Sequence, residues 1–456
     1  MQLLSVVLLS LSLITISEAS NVTILLIGSR YKLTEQRISD KRLQILADCE
    51  TEKISCSVVD ALNGLSSDLS DTTLQGMWTI LPAILKLPQV SQWTVVAEDT
   101  SQINIKHLKT FAENRGVRPE LPVFSGFGLK DREATITHHF GMHAPNNFLY
   151  PMLSAGFVLS KHAVEMIRET EKTDRWTGFA IDANYELALF LYRNFNILLE
   201  HSPEYFCDLK EASVTCLVQR VIPRPVVSTL HDTDIHVMIK TFTGHHQSRI
   251  PVLKDTWTHG LLRVEYCSDT VDDSIPTLDM GVSNTERGHC GKTWAIFRRF
   301  LGEAGDNAKW LLVADDDTLM SWRRLKEMLE LYDHTDKVII GERYGFGFSM
   351  DGEAGYDYPT GGSGMIFSRS AVESLLETCP SCAADSDPDD MTIGMCAVHS
   401  AILVVHESRL HQARPQDYAE ESLRDPISFH KFTDVNPRMV YQQYLAEEAE
   451  YDRTEL

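Results

Sequence analysis

The feature that most constrains this chain is an internal repeat. The segment WTVVAEDTSQINIKHLK at residues 93–109 returns as WLLVADDDTLMSWRRLK at residues 310–326, an offset of 217 residues. A second pair, YPMLSAGFVLSKHAVEMI at 150–167 and YPTGGSGMIFSRSAVESL at 358–375, matches without a gap at an offset of 208 residues. Because the matches keep their order, they indicate an internal duplication of about 210 residues, far longer than a solenoid unit. The alternative is a pair of unrelated α/β domains that share common strand and helix patterns.

Each copy opens with a short apolar run, at Val22–Gly28 and at Ile235–Lys240, and then alternates amphipathic helical segments with further apolar runs. This alternation predicts a Rossmann-like, three-layer α/β domain with a mainly parallel sheet. Ligands of such domains bind beyond the carboxyl ends of the strands. A chain of 456 residues also exceeds the size at which single cores stop growing. We therefore expect two tandem domains, at 20–222 and 235–440, joined by a proline-containing linker at 223–234.

Both ends of the chain indicate targeting to the secretory pathway. An apolar run at residues 3–16 is typical of a signal peptide, removed after Ala19, and is too short to span a bilayer. An uncleaved anchor is the alternative. The acidic tail at 441–456 ends in Arg-Thr-Glu-Leu, which resembles the Lys-Asp-Glu-Leu retrieval signal, although an ordinary acidic tail could end this way. We expect a protein of the endoplasmic reticulum lumen that has no transmembrane anchor and binds a retrieval receptor.

Charge and cysteine content fit that compartment. The net charge of -22 is spread along the chain without a basic cluster, which argues against nucleic acid as a partner. Asn21 begins an N-glycosylation sequon.

A lone Cys-x-x-Cys pair favours disulfides over a redox or zinc site. The nine cysteines predict the pairs Cys49–Cys56, Cys207–Cys216 and Cys267–Cys290, with Cys379, Cys382 and Cys396 left to share one bond and one free thiol.

Acidic residues follow a buried strand in the second copy. The run KWLLVADDDT delivers Asp315, Asp316 and Asp317 at the strand exit. Because side chains alternate along a strand, Asp315 and Asp317 can face one hard divalent cation, which would neutralise a diphosphate leaving group. Three acids in this position can also form a solvated turn or a helix cap. His430, in ISFHKF, could add a nitrogen ligand, although a lone histidine is usually structural.

Two further motifs could serve a ligand. The segment YPTGGSGMIFS places Gly361, Gly362 and Gly364 in a strand-like context, where missing side chains let a ligand approach the backbone; a turn or bulge is the alternative. The segment DPDDMTIGM places Asp389 and Asp390 at the start of a helix. A carboxylate there can stay ionised and act as a base, or it can simply cap the helix.

These motifs together resemble a known family. Asp315-Asp316-Asp317, Thr360 to Gly364, Pro388-Asp389-Asp390 and His430 resemble, in this order, the motif set of the fringe-like beta-1,3-glycosyltransferases. The segment at 239–257 is similar to the first strand and helix of that family. The resemblance covers about 200 residues of the second copy. Over the whole chain, the sequence more closely resembles the branch of the family that adds glucose to O-linked fucose on thrombospondin type 1 repeats.

The resemblance implies an inverting transferase with two GT-A-like domains, UDP-glucose as donor, manganese as cofactor and O-fucosylated thrombospondin repeat proteins as acceptors. It implies that Asp315, Asp317 and His430 bind the metal, with Asp317 as the foremost direct ligand. It implies that Asp390 removes the proton of the fucose 3-hydroxyl, with Asp389 as the alternative. The residues implied at the donor are Lys240, Thr241, Arg249, Asp316, Gly361 and Gly362, with Lys292 as either a phosphate contact or a plain surface lysine.

The first copy lacks these functional residues. Thr100 replaces Asp317, Leu153-Ser154 replaces the paired glycines, Ile27 replaces Lys240, and no histidine occupies the place of His430. Asp182 does align with Asp390, and we interpret it as a helix N-cap or an acceptor contact. We expect this degenerate, non-catalytic domain to hold the acceptor protein or to stabilise the second domain.

Other functions are compatible with the same residues. A core-1-type galactosyltransferase or a fringe-type N-acetylglucosaminyltransferase would share the metal and base positions. A lumenal binding protein or cochaperone could keep the fold without catalysis, although the intact motifs of the second copy argue against it. The donor sugar is not determined by these residues alone.

Overall fold

The computed structural model describes residues 21–62, 76–114, 118, 120–132, 144–170, 181–210, 215–225, 229–302, 307–348 and 354–446. The predicted signal peptide at 1–19 and the retrieval-like terminus at 453–456 lie outside these residues. In the part of the chain that the structure describes, no helix combines the length and the apolar character needed to cross a membrane. We call residues 21–225 the first half and residues 229–446 the second half.

The first half contains the strands β1 (Asn21–Ile27), β2 (Ser55–Asp60), β3 (Trp93–Glu98), β4 (Gln102–Ile103), β5 (Phe124–Gly126), β6 (Gly128–Leu129), β7 (Tyr150–Pro151), β8 (Phe157–Ser160), β9 (Glu200–His201), β10 (Phe206–Cys207) and β11 (Val218–Gln219). Its helices are α1 (Lys32–Glu52), α2 (Ile80–Lys86), α3 (His107–Asn114), α4 (Lys161–Glu169) and α5 (Ala183–Phe195).

The second half contains the strands β12 (Ile235–Lys240), β13 (Val264–Ser268), β14 (Thr277–Asp279), β15 (Trp310–Asp315), β16 (Thr318–Met320), β17 (Val338–Gly341), β18 (Arg343–Phe346), β19 (Tyr356–Pro359), β20 (Met365–Ser368), β21 (Leu403–His406) and β22 (Ser428–His430). Its helices are α6 (Ile250–Lys254), α7 (Cys290–Leu301), α8 (Trp322–Leu329), α9 (Arg369–Thr378), α10 (Asp389–His399) and α11 (Pro437–Val440).

The main sheets of the two halves share one strand order. The first sheet runs β2-β1-β3-β8-β5-β9, and the second runs β14-β13-β12-β15-β20-β17-β21, with β14 added at one edge. In each sheet one strand, β8 or β20, is antiparallel to both neighbours, and the other pairs are parallel. The prediction of a mixed α/β fold with mainly parallel sheets is therefore confirmed. The division into two domains at the stated boundaries stays a prediction.

The second sheet is covered on both faces, and residues 310–314 of its strand β15 are all buried. Leu312 of β15 lies in one core with Leu325 of α8, whereas Leu311 lies in a second core with Trp294 of α7. Alternate side chains of one strand thus enter two different cores, as a three-layer arrangement requires. The end of β15 is consequently fixed from both sides, and the residues that follow it have a well-defined position.

The disulfides match the prediction in part. Cys49–Cys56 and Cys207–Cys216 form as predicted, and Cys379 pairs with Cys396. The predicted Cys267–Cys290 bond is wrong, because Cys290 bonds to Cys382 and Cys267 is a buried free thiol. The amide of Cys290 donates to the Asp387 carbonyl, so the start of α7 lies against the segment that contains Cys382 rather than against β13. Proximity in sequence was a poor guide to this pairing.

The carboxyl edge of the first sheet faces the second half. The ring of Tyr31 packs 5.0 Å from that of Tyr332, and its hydroxyl accepts a hydrogen bond from the Asp333 amide at 2.7 Å. Lys32 adds ion pairs to Asp333 and Asp336 at 2.9 and 2.8 Å. The loop that enters α1, which would border a ligand in a free-standing domain, is therefore bound to the other half of the chain.

Candidate active site

Three predicted metal ligands converge where β15 ends. Asp315 closes the strand and Asp317 follows in the turn, while β16 pairs with β22 so that Thr318 lies opposite His430. This pairing brings His430 Nε2 to 3.1 Å from Asp317 Oδ1 and to 3.7 Å from Asp315 Oδ2. One ligand atom from each of the three residues lies within 4.8 Å of the others. We call Asp315, Asp317 and His430 the acidic trio; oxygen and imidazole donors at this spacing suit a divalent cation.

The histidine of the trio is held in one orientation. Its Nδ1 donates to the Gln412 carbonyl at 2.9 Å, which leaves Nε2 directed at the carboxylates. Gln412 is fixed in turn: its amide donates to Glu342 Oε2 at 2.5 Å, and its side-chain oxygen accepts from the Ser363 amide at 3.1 Å. Glu342 and Gln412 were not predicted, because no local pattern marks residues that reach the site through loops.

The electrostatics of the trio favour ionised ligands. Burial opposes ionisation of Asp315, but the charges of Lys240 and His430 lower its pKa to about 2. Burial also raises the pKa of Asp317, but the hydrogen bond and charge of His430, together with the Arg249 charge, give a net decrease. Burial lowers the pKa of His430, whereas Asp317 raises it, and the net shift is an increase. Both carboxylates therefore carry charge at neutral pH, as metal ligands must.

Asp316 has a different role from its neighbours. Its carboxylate accepts hydrogen bonds from Thr241 Oγ1 at 2.8 Å and Arg249 Nη1 at 2.7 Å, and it lies 3.0 Å from His245 Nδ1. The same Arg249 nitrogen lies 2.9 Å from Asp317 Oδ2. The structure thus joins the predicted donor residues Thr241 and Arg249 to the acidic motif. His245 was missed; the only signal was the histidine-rich loop at 241–248.

Lys240 connects the trio to α10. It is 5% exposed, and its Nζ lies 2.7 Å from Asp389 Oδ2 and 3.1 Å from Asp315 Oδ1. Thr293 donates to the same Asp389 oxygen at 2.6 Å. Burial raises the pKa of Asp389, but the Lys240 charge and these hydrogen bonds give a net decrease. Asp389 is therefore a buried, ionised partner of Lys240 rather than a carboxylate free to take a proton.

Asp390 has the properties that Asp389 lacks. It lies in the first turn of α10, and its Oδ1 accepts from the Met391 amide at 2.8 Å. Burial and the neighbouring Asp389 charge raise its pKa to about 6, while hydrogen bonds from the backbone of Met391 and Gly361 act in the opposite direction. A partly buried carboxylate with a pKa near the working pH is suited to general base catalysis. The geometry thus favours the predicted Asp390 over its alternative.

The glycine segment is a turn between β19 and β20, so strands flank the glycines but the glycines themselves lie in the turn. A Cβ at Gly362 would lie 2.2 Å from His430 Nδ1, whereas one at Gly361 would meet only Lys240 Nζ at 3.9 Å. Gly364 has a φ of +88°, which favours glycine. Gly362 therefore makes room for the histidine, and Gly361 leaves open space beside Lys240.

Comparison with known proteins finds relatives that match most of the chain. The chain is 38% identical over 415 residues to human beta-1,3-glucosyltransferase, which covers 87% of this chain and 81% of that protein. The chain belongs to the beta-1,3-glucosyltransferase family. The mouse protein of the same name is 35% identical over 420 residues, covering 89% of this chain and 85% of the relative. A family model described as Fringe-like matches residues 230–451.

A more distant relative matches a shorter region. Mouse beta-1,3-N-acetylglucosaminyltransferase lunatic fringe is 28% identical over 128 residues, which cover 26% of this chain and 33% of that protein. The Fringe-like match contains the acidic trio, Lys240 and Asp390, whereas the first half lies outside it. The two glucosyltransferase relatives match more residues than the second half contains, so their similarity extends into the first half. The second half therefore carries the part shared with fringe proteins.

Lys292 occupies an unexpected place in this member of the beta-1,3-glucosyltransferase family. The surface alternative is wrong, because the residue is only 3% exposed, and its Nζ donates to the Thr241 carbonyl at 2.5 Å. Burial lowers the pKa of this amine. Lys292 thus supports the backbone of the predicted donor loop from within the protein.

The first half keeps the layout of the site without its metal ligands. At the end of β3, Asp99 Oδ2 lies 2.5 Å from Arg37 Nε, a pair that mirrors Asp316 and Arg249. Asp182 caps α5 by accepting from the Asn184 amide at 2.8 Å, in agreement with the N-cap prediction. Among the described residues, the acidic trio of the second half is the only group with metal-ligand geometry.

Proposed function

We propose that this chain is an inverting glucosyltransferase that moves glucose from UDP-glucose to the 3-hydroxyl of O-linked fucose on thrombospondin type 1 repeats. The observation that carries the proposal is the continuity of one site: Lys240 bridges the acidic trio to α10, where Asp390 lies against Gly361. The proposed metal ligands and the proposed base thus belong to one connected site at the end of β15 and the start of α10. The names of the two long relatives support the choice of glucose.

Asp315, Asp317 and His430 would hold the metal, which we propose to be manganese. When bound, a divalent ion supplies positive charge that stabilises the departing diphosphate. The chain's own contribution is to fix the three ligands, with the His430 ring held by Gln412. Arg249 and Lys240 add positive charge beside the trio, and Thr241 lies in the loop we propose for the nucleotide.

Asp390 performs the proton transfer in this proposal. Its carboxylate takes the proton of the fucose 3-hydroxyl while that oxygen bonds to the anomeric carbon of glucose. The bond from this carbon to the phosphate oxygen breaks in the same step, and UDP leaves from the opposite side, so the configuration inverts. Gly361 and Gly362 would line the donor sugar, because the space next to Gly361 is free of side chains other than Lys240. Lys292 would act on the phosphates only through the Thr241 backbone.

The cellular setting and the domain roles are also proposals. We propose two tandem GT-A-like domains, at 20–222 and 235–440, of which the second is catalytic. The matched strand orders of the two sheets support this division. We further propose that the enzyme is retained in the endoplasmic reticulum lumen by a retrieval receptor, and that the first domain helps to hold the acceptor protein. The formed disulfides suit an oxidising compartment.

The test is a donor screen with a folded, O-fucosylated thrombospondin repeat as acceptor. We expect transfer from UDP-glucose and not from UDP-galactose or UDP-N-acetylglucosamine, and loss of transfer in excess chelator. Asp390→Asn should retain UDP binding and lose transfer by a factor on the order of 100 or more. Asp273→Asn, at an exposed loop position, serves as the matched control. Transfer of galactose or N-acetylglucosamine instead would reassign the donor, and full turnover in chelator would refute the metal role of the trio.

A further inference from the structure

A cavity of about 260 Å³ lies between the two halves. Its floor is the carboxyl edge of the first sheet, and its roof belongs to the second half. The floor residues include Ile27, Glu98, Thr100, Ser154 and Asp182, and the roof residues include Tyr332, Glu342, Tyr344, Glu407 and Arg409. We call this space the first-half cavity.

The first-half cavity occupies the place that the candidate active site occupies in the second half. Glu98 ends β3 as Asp315 ends β15, and the two strands hold the same position in sheets of the same order. Thr100 stands where the second copy has Asp317. In α/β sheets, ligands bind in this crevice beyond the carboxyl ends of the strands. The cavity is therefore the counterpart of a donor site from which the metal ligands are missing.

The charges around the cavity do not suit a diphosphate. Four arginines line the cavity, and each already faces a carboxylate: Arg37 with Asp99 at 2.5 Å, Arg220 with Asp208 at 3.5 Å, Arg343 with Asp357 at 3.5 Å, and Arg409 with Glu407 at 2.8 Å. A phosphate would have to separate such buried pairs, which is costly. The cavity is also smaller than the roughly 300–1,000 Å³ of typical pockets for larger small molecules.

Apart from its arginines, the lining of the first-half cavity suits a small ring-shaped ligand that carries hydroxyl groups. The carboxylate of Glu98 borders the cavity, and carboxylates accept several hydrogen bonds at once. Burial, together with the Asp99 charge, raises the pKa of Glu98 to about 7, so this group can both donate and accept near neutral pH. Aromatic rings of Tyr150 and Tyr344 and the side chain of Leu153 provide apolar contact area beside these polar groups.

We propose that the first-half cavity binds one neutral monosaccharide unit. The hydroxyls of this sugar form hydrogen bonds with Glu98, and its ring packs against the rings of Tyr150 and Tyr344. The ligand class follows from three observations: the size of the cavity, the ion-paired state of its arginines, and its mixture of carboxylate and aromatic surface. The first half would then be a sugar-binding module. This role differs from the proposed transfer reaction and does not depend on the acidic trio.

Binding can be measured on the full chain by saturation-transfer difference NMR. The probes are methyl β-glucoside and methyl α-fucoside, with methyl β-glucuronide as a charged analogue that the carboxylates should exclude. We expect saturable binding of at least one neutral glycoside and none of the glucuronide. Glu98→Ala should weaken binding at least tenfold, since its hydrogen bonds to the sugar hydroxyls are lost. Ser154→Phe should abolish binding by filling the cavity.

Two controls separate this site from the candidate active site. Glu52→Ala removes an exposed carboxylate at the end of α1 and should leave binding unchanged. Asp317→Ala disables the acidic trio and should also leave it unchanged. Thermal unfolding of each variant checks folding, and Ser154→Phe keeps the test valid if Glu98→Ala unfolds. Binding that survives both cavity variants, or that disappears in Asp317→Ala, would overturn the proposal, as would the absence of any binding by the parent chain.

Discussion

Replacing Gly362 by alanine should weaken metal binding by the acidic trio. The new Cβ would lie 2.2 Å from His430 Nδ1, whereas ordinary contact begins at 3.4 Å, so the ring would have to move by about 1.2 Å (3.4 minus 2.2). Such a shift separates Nδ1 from the Gln412 carbonyl, which it reaches at 2.9 Å. Loss of support for a histidine ligand typically lowers metal affinity by about 10–100-fold, and we expect a decrease in this range.

The measurement is a calorimetric titration of the metal-free protein with Mn²⁺. Gly361→Ala is a matched control one residue away, because its Cβ would meet only Lys240 Nζ at 3.9 Å. This variant should bind Mn²⁺ like the parent protein while losing activity if the donor sugar occupies the space next to Gly361. The two variants therefore separate metal binding from donor binding.

A folded Gly362→Ala variant that binds Mn²⁺ with the parent affinity would refute the reasoning. It would mean either that His430 is not a ligand or that its ring can move freely. Thermal unfolding of both variants confirms that any loss of affinity reflects the site rather than the stability of the domain.

Three further predictions follow from the site and the termini. The transfer rate with saturating substrates should fall as the pH drops through about 6, where Asp390 takes up a proton, and a flat profile between pH 5 and 7 would exclude it as the base. Lys240→Met leaves the buried Asp389 and the partly buried Asp315 without their lysine partner and should lower the free energy of unfolding by about 3–5 kcal/mol in chemical denaturation. Lys326→Met, at a more exposed pair, should cost only about 0–1 kcal/mol, so equal losses would contradict the structure. Deletion of residues 453–456 should send active enzyme into the culture medium, and undiminished retention would show that another segment holds it.

The sheets and the position of the acidic residues that follow β15 could be predicted because their signals are local. An apolar run that ends in acids predicts that Asp315 and Asp317 lie at a sheet edge, and this prediction needs no information from the rest of the chain. His430 was a candidate ligand from its residue type, which the family resemblance supported. The structure brings it to the acids because β22 pairs with β16 directly after them. The first-copy residue Asp182, which aligns with Asp390, was predicted as an N-cap or an acceptor contact, and it caps α5.

Other features depend on contacts between distant segments, which no local pattern records. Cys290 meets Cys382 across 92 residues, and a pairing based on nearness in sequence chose Cys267 instead. Asp389 and Asp390 are neighbours of the same type, so only their orientation at the start of α10 shows that Lys240 binds the first. The burial of Lys292 and the support of His430 by Gln412 likewise arise only after the loops have assembled.

Two disulfides link the oxidation state of the chain to its catalytic geometry. Cys290 begins α7, which carries Thr293, and its bond to Cys382 fixes that helix to the segment preceding α10. The Cys379–Cys396 bond fixes the same segment to α10 itself, which carries Asp390. A reduced chain would hold these helices only by packing and by hydrogen bonds such as that from Thr293 to Asp389, so we expect full activity to require oxidative folding. Dithiothreitol should therefore reduce activity before the sheets unfold, so the activity of this chain would depend on the redox conditions of its compartment.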